Sequence, residues 1–343
     1  MLVLTGQDVY DALSYDDCIG AIAAVMPAVS RGEALMPLRV FMPVPNSAGR
    51  IGWMPGALEQ PRCCGIKVVS KFPTPSDGSR GSHSGVVLLF DSETGEATAA
   101  IDGAMLTALR TAAASAVATR ALARHDASRL VLIGCGEQSW HHAHAIARVR
   151  TLREIQVWGR TPDKAHRFAS ALGASLPVDV RYASDPAVAV ANADIVCTLT
   201  SSTTPVLRTE WLPRGCHVNL VGAAVRTSAE AEPSIVRRTR FFVDSRASAL
   251  EQAGELLAAI AAGDASMEDV AGEIGELLDG KIRGRNNDQE ITVYKSLGVA
   301  AQDLAAGFVA WQRARAMGHG TSLNWQAATL HGSQRTRPKD RTP

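Results

Sequence analysis

The sequence predicts an α/β fold in which a parallel sheet carries helices on both faces and adjoins a second, α+β unit. Three observations lead there. In the middle third, short apolar runs alternate with helix-like segments, the pattern of strand–helix–strand repeats. Runs such as Ile195-Val-Cys197 are continuously apolar, as strands buried on both sides must be. The first ~125 residues read differently, with strands punctuated by Pro and Gly, a hairpin signal and a long Ala-rich helix.

In chain order, Tyr15 to Arg31 reads as a helix, followed by strands at Leu38 to Met42, Gly65 to Val69, Val86 to Asp91 and Ala97 to Ile101. The last two are joined through Phe90-Asp-Ser-Glu-Thr-Gly95, a Gly-containing hairpin turn. Lys71 to Gly85 is a loop dense in Pro, Ser and Gly, a composition shared by functional lids and flexible connectors. Leu106 to Ala123 is the Ala-rich helix. Strands then follow at Arg129 to Ile133, Glu154 to Trp158, Val180 to Tyr182, Ala193 to Thr200, His217 to Gly222 and Arg240 to Asp244. Between them lie helices at Glu137 to Arg150 and at Pro162 to Leu172, the second with Pro in its first turn. Further helices are expected at Leu250 to Ala262, Met267 to Leu278 and Ala300 to Met317, with a short apolar run at Ile291 to Tyr294. The domains predicted are 1–125, completed by a returning helix at 300–318, and 126–299. Residues 319–343 form a polar tail expected to be disordered.

The 343 residues carry 35 Lys plus Arg against 34 Asp plus Glu, a formal charge of +1. That balance argues against a nucleic-acid partner. With 46% hydrophobic residues the chain can bury a core that a disordered chain could not. No apolar stretch reaches the roughly 18 residues of a membrane span, and Met1 to Tyr10 lacks the features of a secretory signal. A cytoplasmic location is the expectation. The six cysteines form no C-x-x-C pair and read as buried free thiols. His141, His142 and His144 do not match a zinc-protease spacing and have no second ligand cluster, so no metal site is expected.

The chemistry starts at Gly134-Cys-Gly136-Glu137-Gln138-Ser139, which follows a strand and opens a helix. It fits G-x-G-x-x-[GAS]: the first Gly allows the tight turn and the second lets backbone N–H groups approach a pyrophosphate. The helix N-terminus adds partial positive charge. The next strand ends in Trp158-Gly-Arg160-Thr161, where a site preferring NAD carries Asp or Glu. Arg160 would pair with a 2′-phosphate and Thr161 could donate to it, so NADPH is predicted over NADH; the alternative is a plain surface cation. Arg39, Lys67 and Arg110 stand isolated in apolar surroundings. Each alone reads as structural, but together they suggest an anion site suited to a small carboxylate.

These motifs resemble the ornithine cyclodeaminase/mu-crystallin family over about residues 1–318. The similar segments are Arg110-Thr-Ala-Ala-Ala-Ser115, Gly134 to Gln138, Ala193-Asp-Ile-Val196, Val218-Asn-Leu-Val-Gly222, Val243-Asp-Ser245, and Ile291 to Gly298 followed by Asp303. The resemblance implies a Rossmann domain and a substrate domain that forms a homodimer interface. It implies that Arg39, Lys67 and Arg110 hold the substrate's α-carboxylate, with Leu297 beside them. Ser82 or His83, Thr111, Glu137, Gln138, Thr200, the stretch Val218 to Val221 and Ser296 fall near the nucleotide. One departure matters. In true ornithine cyclodeaminases an Asp follows the Val-Gly-Gly motif and serves the amine chemistry; here that position is Ala224, which exchanges no proton. Glu230 and Glu232, downstream, look like the family's structural acidic pair. Other local features resemble mu-crystallin and the bacterial ketimine reductases.

The expected activity is therefore NADPH-dependent reduction of a cyclic α-imino acid, Δ1-pyrroline-2-carboxylate or Δ1-piperideine-2-carboxylate, to proline or pipecolate. Lys67 or His83 would assist proton delivery. The alternatives are ornithine or lysine cyclodeamination, an amino-acid dehydrogenase or acyclic imine reductase, and a non-catalytic NADPH-dependent ligand-binding protein.

Overall fold

The computed structural model describes residues 1–72 and 83–325, with His83 described in its backbone only. Two sheets organise it. The first has seven strands in the order Thr321–Ser322, Leu2–Leu4, Ala97–Asp102, His83–Phe90, Arg62–Lys71, Arg50–Glu59 and Val40–Pro43. Its four central strands are paired antiparallel, and Lys67 lies opposite Met54 on one side and Val87 on the other. Alternation then sorts the residues onto two faces. Met54, Lys67, Val87 and Ile101 face inward and are buried. Trp53, Pro55, Ile66, Val68, Val86, Leu88 and Phe90 form an outer face that is only partly buried.

The second sheet has eight strands, all paired in parallel. Its order is Val270–Glu273, Arg240–Val243, Thr292–Lys295, His217–Leu220, Ile195–Thr198, Arg129–Ile133, Glu154–Trp158 and Asp179–Tyr182. The chain enters at Arg129–Ile133, runs outward through two strands, then returns past the entry strand to build the other half. That reversal opens a crevice at the carboxyl ends of Arg129–Ile133 and Ile195–Thr198, where open α/β sheets bind ligands.

Helix Gly103–Leu122 links the two sheets. Asp102 caps it by accepting from the Met105 N–H at 2.7 Å. The helix is Ala-rich because it is crowded on nearly all sides, with 15 of its residues buried, and only small side chains allow so many close neighbours. Helix Ala300–Met317 returns onto the inner face of the first sheet and ends at Gly318 in the left-handed conformation, φ 72°. Leu304 on that helix packs where Gly65 leaves room; a Cβ there would come within 2.9 Å of it.

Several expectations change. Met267 to Leu278 is not one helix: Val270–Glu273 is an edge strand of the parallel sheet, and only Ile274–Leu278 is α-helical. The stretch expected as Leu250 to Ala262 is two helices, Arg246–Gln252 and Gly254–Ala261, because Ala253 leaves the helical region. The strand Arg50–Glu59 and the helix Gly6–Ala12 were not legible in the sequence. The tail predicted as disordered from residue 319 contributes the strand Thr321–Ser322, paired with Leu2 and Val3; residues 326–343 lie outside the described part. Among the described residues no single helix is long and apolar enough to cross a membrane, and no group of three or more His, Cys, Asp or Glu is placed to hold a metal ion.

Candidate active site

The glycine-rich turn sits at the crevice as the motif requires. Gly134 has φ +126°, and a Cβ there would stand 2.7 Å from the Leu199 carbonyl oxygen across the crevice, so only Gly fits. Gly136 is the N-cap of helix Glu137–Ala147, and no side chain caps it, which leaves its first N–H groups open to an anion. Ser139 occupies the third small position. Its hydroxyl donates to the Gly134 carbonyl at 3.0 Å, locking the turn.

The far lip of the crevice is built by Thr200 and Gly222. Both backbone N–H groups donate to the buried Glu230 carboxylate, Thr200 at 2.7 Å to Oε1 and Gly222 at 2.5 Å to Oε2. Two side-chain atoms near the turn fit a nucleotide: Thr111 Oγ1 and Gln138 Oε1 are buried without a hydrogen-bond partner among the described residues, a costly state that a ligand's polar groups would relieve. Arg160 and Thr161 are exposed just beyond the strand Glu154–Trp158, at the edge of the same crevice.

The three cations converge at the junction between the sheets. Lys67 Nζ donates to Asp303 Oδ1 at 2.9 Å and to Thr107 Oγ1 at 2.5 Å. Arg110 Nε donates to the same Asp303 oxygen at 2.9 Å, and its Nη1 to Gln302 Oε1 at 3.1 Å. Lys67 is 4% exposed, Arg110 6% and Asp303 0%, so this is a buried charge cluster with more positive than negative members. Asp303 Oδ2 has no partner among the described residues. Burial pushes the Lys67 ammonium down to about 8; repulsion from Arg110 and Arg39 adds to this, while Asp303 opposes it. Asp303 stays below the usual carboxylate range, because the two cations outweigh the burial that would raise it.

Arg39 reaches the same place from the edge of the first sheet. Its Nη2 donates to the Leu297 carbonyl at 2.5 Å and to that of Gly298. The N–H groups of Leu297 and Gly298 donate in turn to the buried Asp244, at 2.7 and 2.5 Å. The turn Ser296–Leu297–Gly298 is thus held on its carbonyl side by Arg39 and on its amide side by Asp244. Gly298 has φ +77°, and a Cβ there would meet Arg110 Nη1 at 2.6 Å. Only glycine lets this turn lie against the guanidinium.

The chain and its fold are similar to those of known proteins. The family model described as the ornithine cyclodeaminase/mu-crystallin family matches residues 1–318. The chain belongs to that family. A Δ1-pyrroline-2-carboxylate reductase of Bacillus cereus is 33% identical over 327 residues, 95% of this chain and all of the relative. Among solved structures, the Thermococcus litoralis Δ1-pyrroline-2-carboxylate reductase in complex with NADH and L-proline superposes with a TM-score of 0.91 at 31% identity, covering 94% of this chain and 100% of that one. An archaeal alanine dehydrogenase dimer with bound NAD gives 0.89 at 29% identity over 95% and 99%. Both of those solved structures hold a pyridine nucleotide.

Of the residues singled out for this family member, Arg39, Lys67, Arg110 and Leu297 meet around Asp303 and the Ser296–Gly298 turn. Gly134, Gly136, Glu137, Gln138, Thr200 and Val221 border the crevice; Thr111 follows Arg110 on helix Gly103–Leu122, and Ser296 opens the turn. Ser82 falls outside the described residues, as does the side chain of His83. Sequence reasoning missed Asp303, Gln302 and Asp244 as members of the site. The signal for the first two was present: Gln302-Asp303 is a polar pair in the opening turn of an Ala-rich helix, followed by the uncharged run Leu304 to Trp311.

Proposed function

We propose that this chain reduces a cyclic ketimine, Δ1-pyrroline-2-carboxylate or Δ1-piperideine-2-carboxylate, to the corresponding cyclic amino acid, using NADPH in preference to NADH. The observation that carries the reading is the buried Lys67–Asp303–Arg110 cluster at the mouth of the crevice. When bound, the reduced nicotinamide supplies a hydride for the C=N carbon. Arg110 and Arg39 can hold the substrate carboxylate and fix its orientation, which is the main contribution a protein makes to such a step. Lys67, lowered to about 8, is poised to hold and release a proton near neutral pH. The packing of Gly298 and helix Ala300–Met317 around the cluster keeps water away from it. Ala224 supplies no acid or base where cyclodeamination requires one, which favours reduction over ammonia release. NADPH is favoured by Arg160, an exposed cation with no ion-pair partner among the described residues.

We infer too that the chain works as a homodimer. The outer face of the seven-stranded sheet is apolar, and on it lies a groove of about 380 Å³ lined by residues that include Leu35, Pro55, Ile66 and Phe90; an exposed apolar surface of this kind marks an interface. All six cysteines are free, which suits a reducing, cytoplasmic compartment.

The test is a spectrophotometric screen of NADPH and NADH oxidation with each cyclic imine, with pyruvate plus methylamine, and with no substrate. A parallel assay measures ammonia from ornithine. Oxidation with a cyclic imine is the expected outcome. Proline and ammonia from ornithine at a comparable rate would overturn the reading and restore cyclodeamination.

A further inference from the structure

The nucleotide crevice is backed by a charge cluster that its chemistry does not use. Glu230 is fully buried and accepts from four donors: the Thr198 hydroxyl at 2.8 Å, the Thr200 hydroxyl and N–H at 2.7 Å each, and the Gly222 N–H at 2.5 Å. Its own N–H donates to Glu255 Oε1 at 2.9 Å. The other oxygen of Glu255 lies 2.8 Å from Lys295 Nζ, and both of those side chains are 0% exposed. Lys295 immediately precedes Ser296. The three groups therefore join the carboxyl ends of Ile195–Thr198, His217–Leu220 and Thr292–Lys295, which are adjacent in the sheet. Those ends are the floor on which the nucleotide half of the site stands.

We infer that Glu230, backed by Glu255 and Lys295, is a positioning residue that sets the width of the nucleotide crevice by pinning the Thr200 and Gly222 backbones to one carboxylate. This rests on the nucleotide reading above and adds a residue to it. The reason is stereochemical. Each carboxylate oxygen accepts from a backbone N–H, and a backbone N–H cannot reverse its role. An ionised carboxylate satisfies both; a carboxamide has one acceptor and one donor end, so in either orientation it opposes one of the two N–H groups. Glu230→Gln thus releases one lip at almost unchanged volume. Gly222→Ala attacks the same latch from the exposed side, since its Cβ would stand 2.1 Å from the Thr200 carbonyl oxygen and 2.6 Å from Glu230 Oε1.

The experiment measures NADPH dissociation constants by nucleotide fluorescence, together with KM for a cyclic imine at saturating NADPH, for the full chain and both variants. Circular dichroism melts identify any variant that fails to fold. The expected result is a rise of at least tenfold in the NADPH dissociation constant for each folded variant, with the imine KM changed less than threefold. A merely structural role would lower the melting temperature without that split. A folded Glu230→Gln or Gly222→Ala protein that binds NADPH within twofold of the unaltered chain overturns the inference. An unaltered chain that binds neither NADPH nor NADH overturns the nucleotide reading itself, a distinct outcome.

Discussion

Replacing Asp303 with Asn isolates one electrostatic question: does this carboxylate act through the charge of Lys67? Asp303 Oδ1 accepts from both Lys67 and Arg110 at 2.9 Å inside a fully buried site. An amide oxygen keeps the hydrogen bonds but loses the charge, and the difference between charge-assisted and neutral bonds is about 1–2 kcal/mol. At 1.36 kcal/mol per tenfold change in proton affinity, that makes the Lys67 ammonium about ten times easier to deprotonate. Lys67 in the unaltered protein is protonated below about 8 and neutral above it, so activity that needs the ammonium falls as pH rises through that value. In Asp303→Asn the falling limb of kcat/KM should move about one pH unit lower. At pH 8 protonation alone then costs about fivefold, from about half protonated to about a tenth, while at pH 6 it costs almost nothing. Initial rates of imine-dependent NADPH oxidation across pH 5.5 to 9.5 read this directly. An equal loss at pH 6 and pH 8 would refute the reasoning, showing that Asp303 aligns the cations without setting their charge.

Other outcomes follow from the same geometry. Arg160→Asp should raise the KM for NADPH about tenfold relative to that for NADH, the worth of one charge-assisted contact to a 2′-phosphate, about 1.4 kcal/mol; equal changes for the two nucleotides would end the NADPH assignment. Leu304→Ala removes a fully buried side chain that fills the space over Gly56 and Gly65. It should cost about 2–5 kcal/mol in denaturant unfolding, and a loss under 1 kcal/mol would mean that the sheet closes over the gap. Ile66→Lys puts a charge in the middle of the outer sheet face, and light scattering should report a monomer; an unchanged dimer would move the interface elsewhere.

What could be read from the sequence alone depended on local signals. Gly134, Gly136 and Ser139 announce a strand–turn–helix because their demands, positive φ and close backbone approach, are met within a few residues. The parallel sheet was legible for the same reason, since continuous apolar runs such as Ile195 to Cys197 repeat between helices. The strand Val270–Glu273 was not, because Val-Ala-Gly-Glu has no period of its own and becomes a strand only by lying beside Arg240–Val243. Lys67 could be named but not explained. Alternation allowed it to point either way, and only the returning helix Ala300–Met317 brings Asp303, 236 residues on, to hold it inside. The sequence by itself determined the nucleotide turn, the cations and the family. The tertiary structure alone decided which side chains share a charge, because electrostatic coupling depends on distance and burial, and neither is a property of position along the chain.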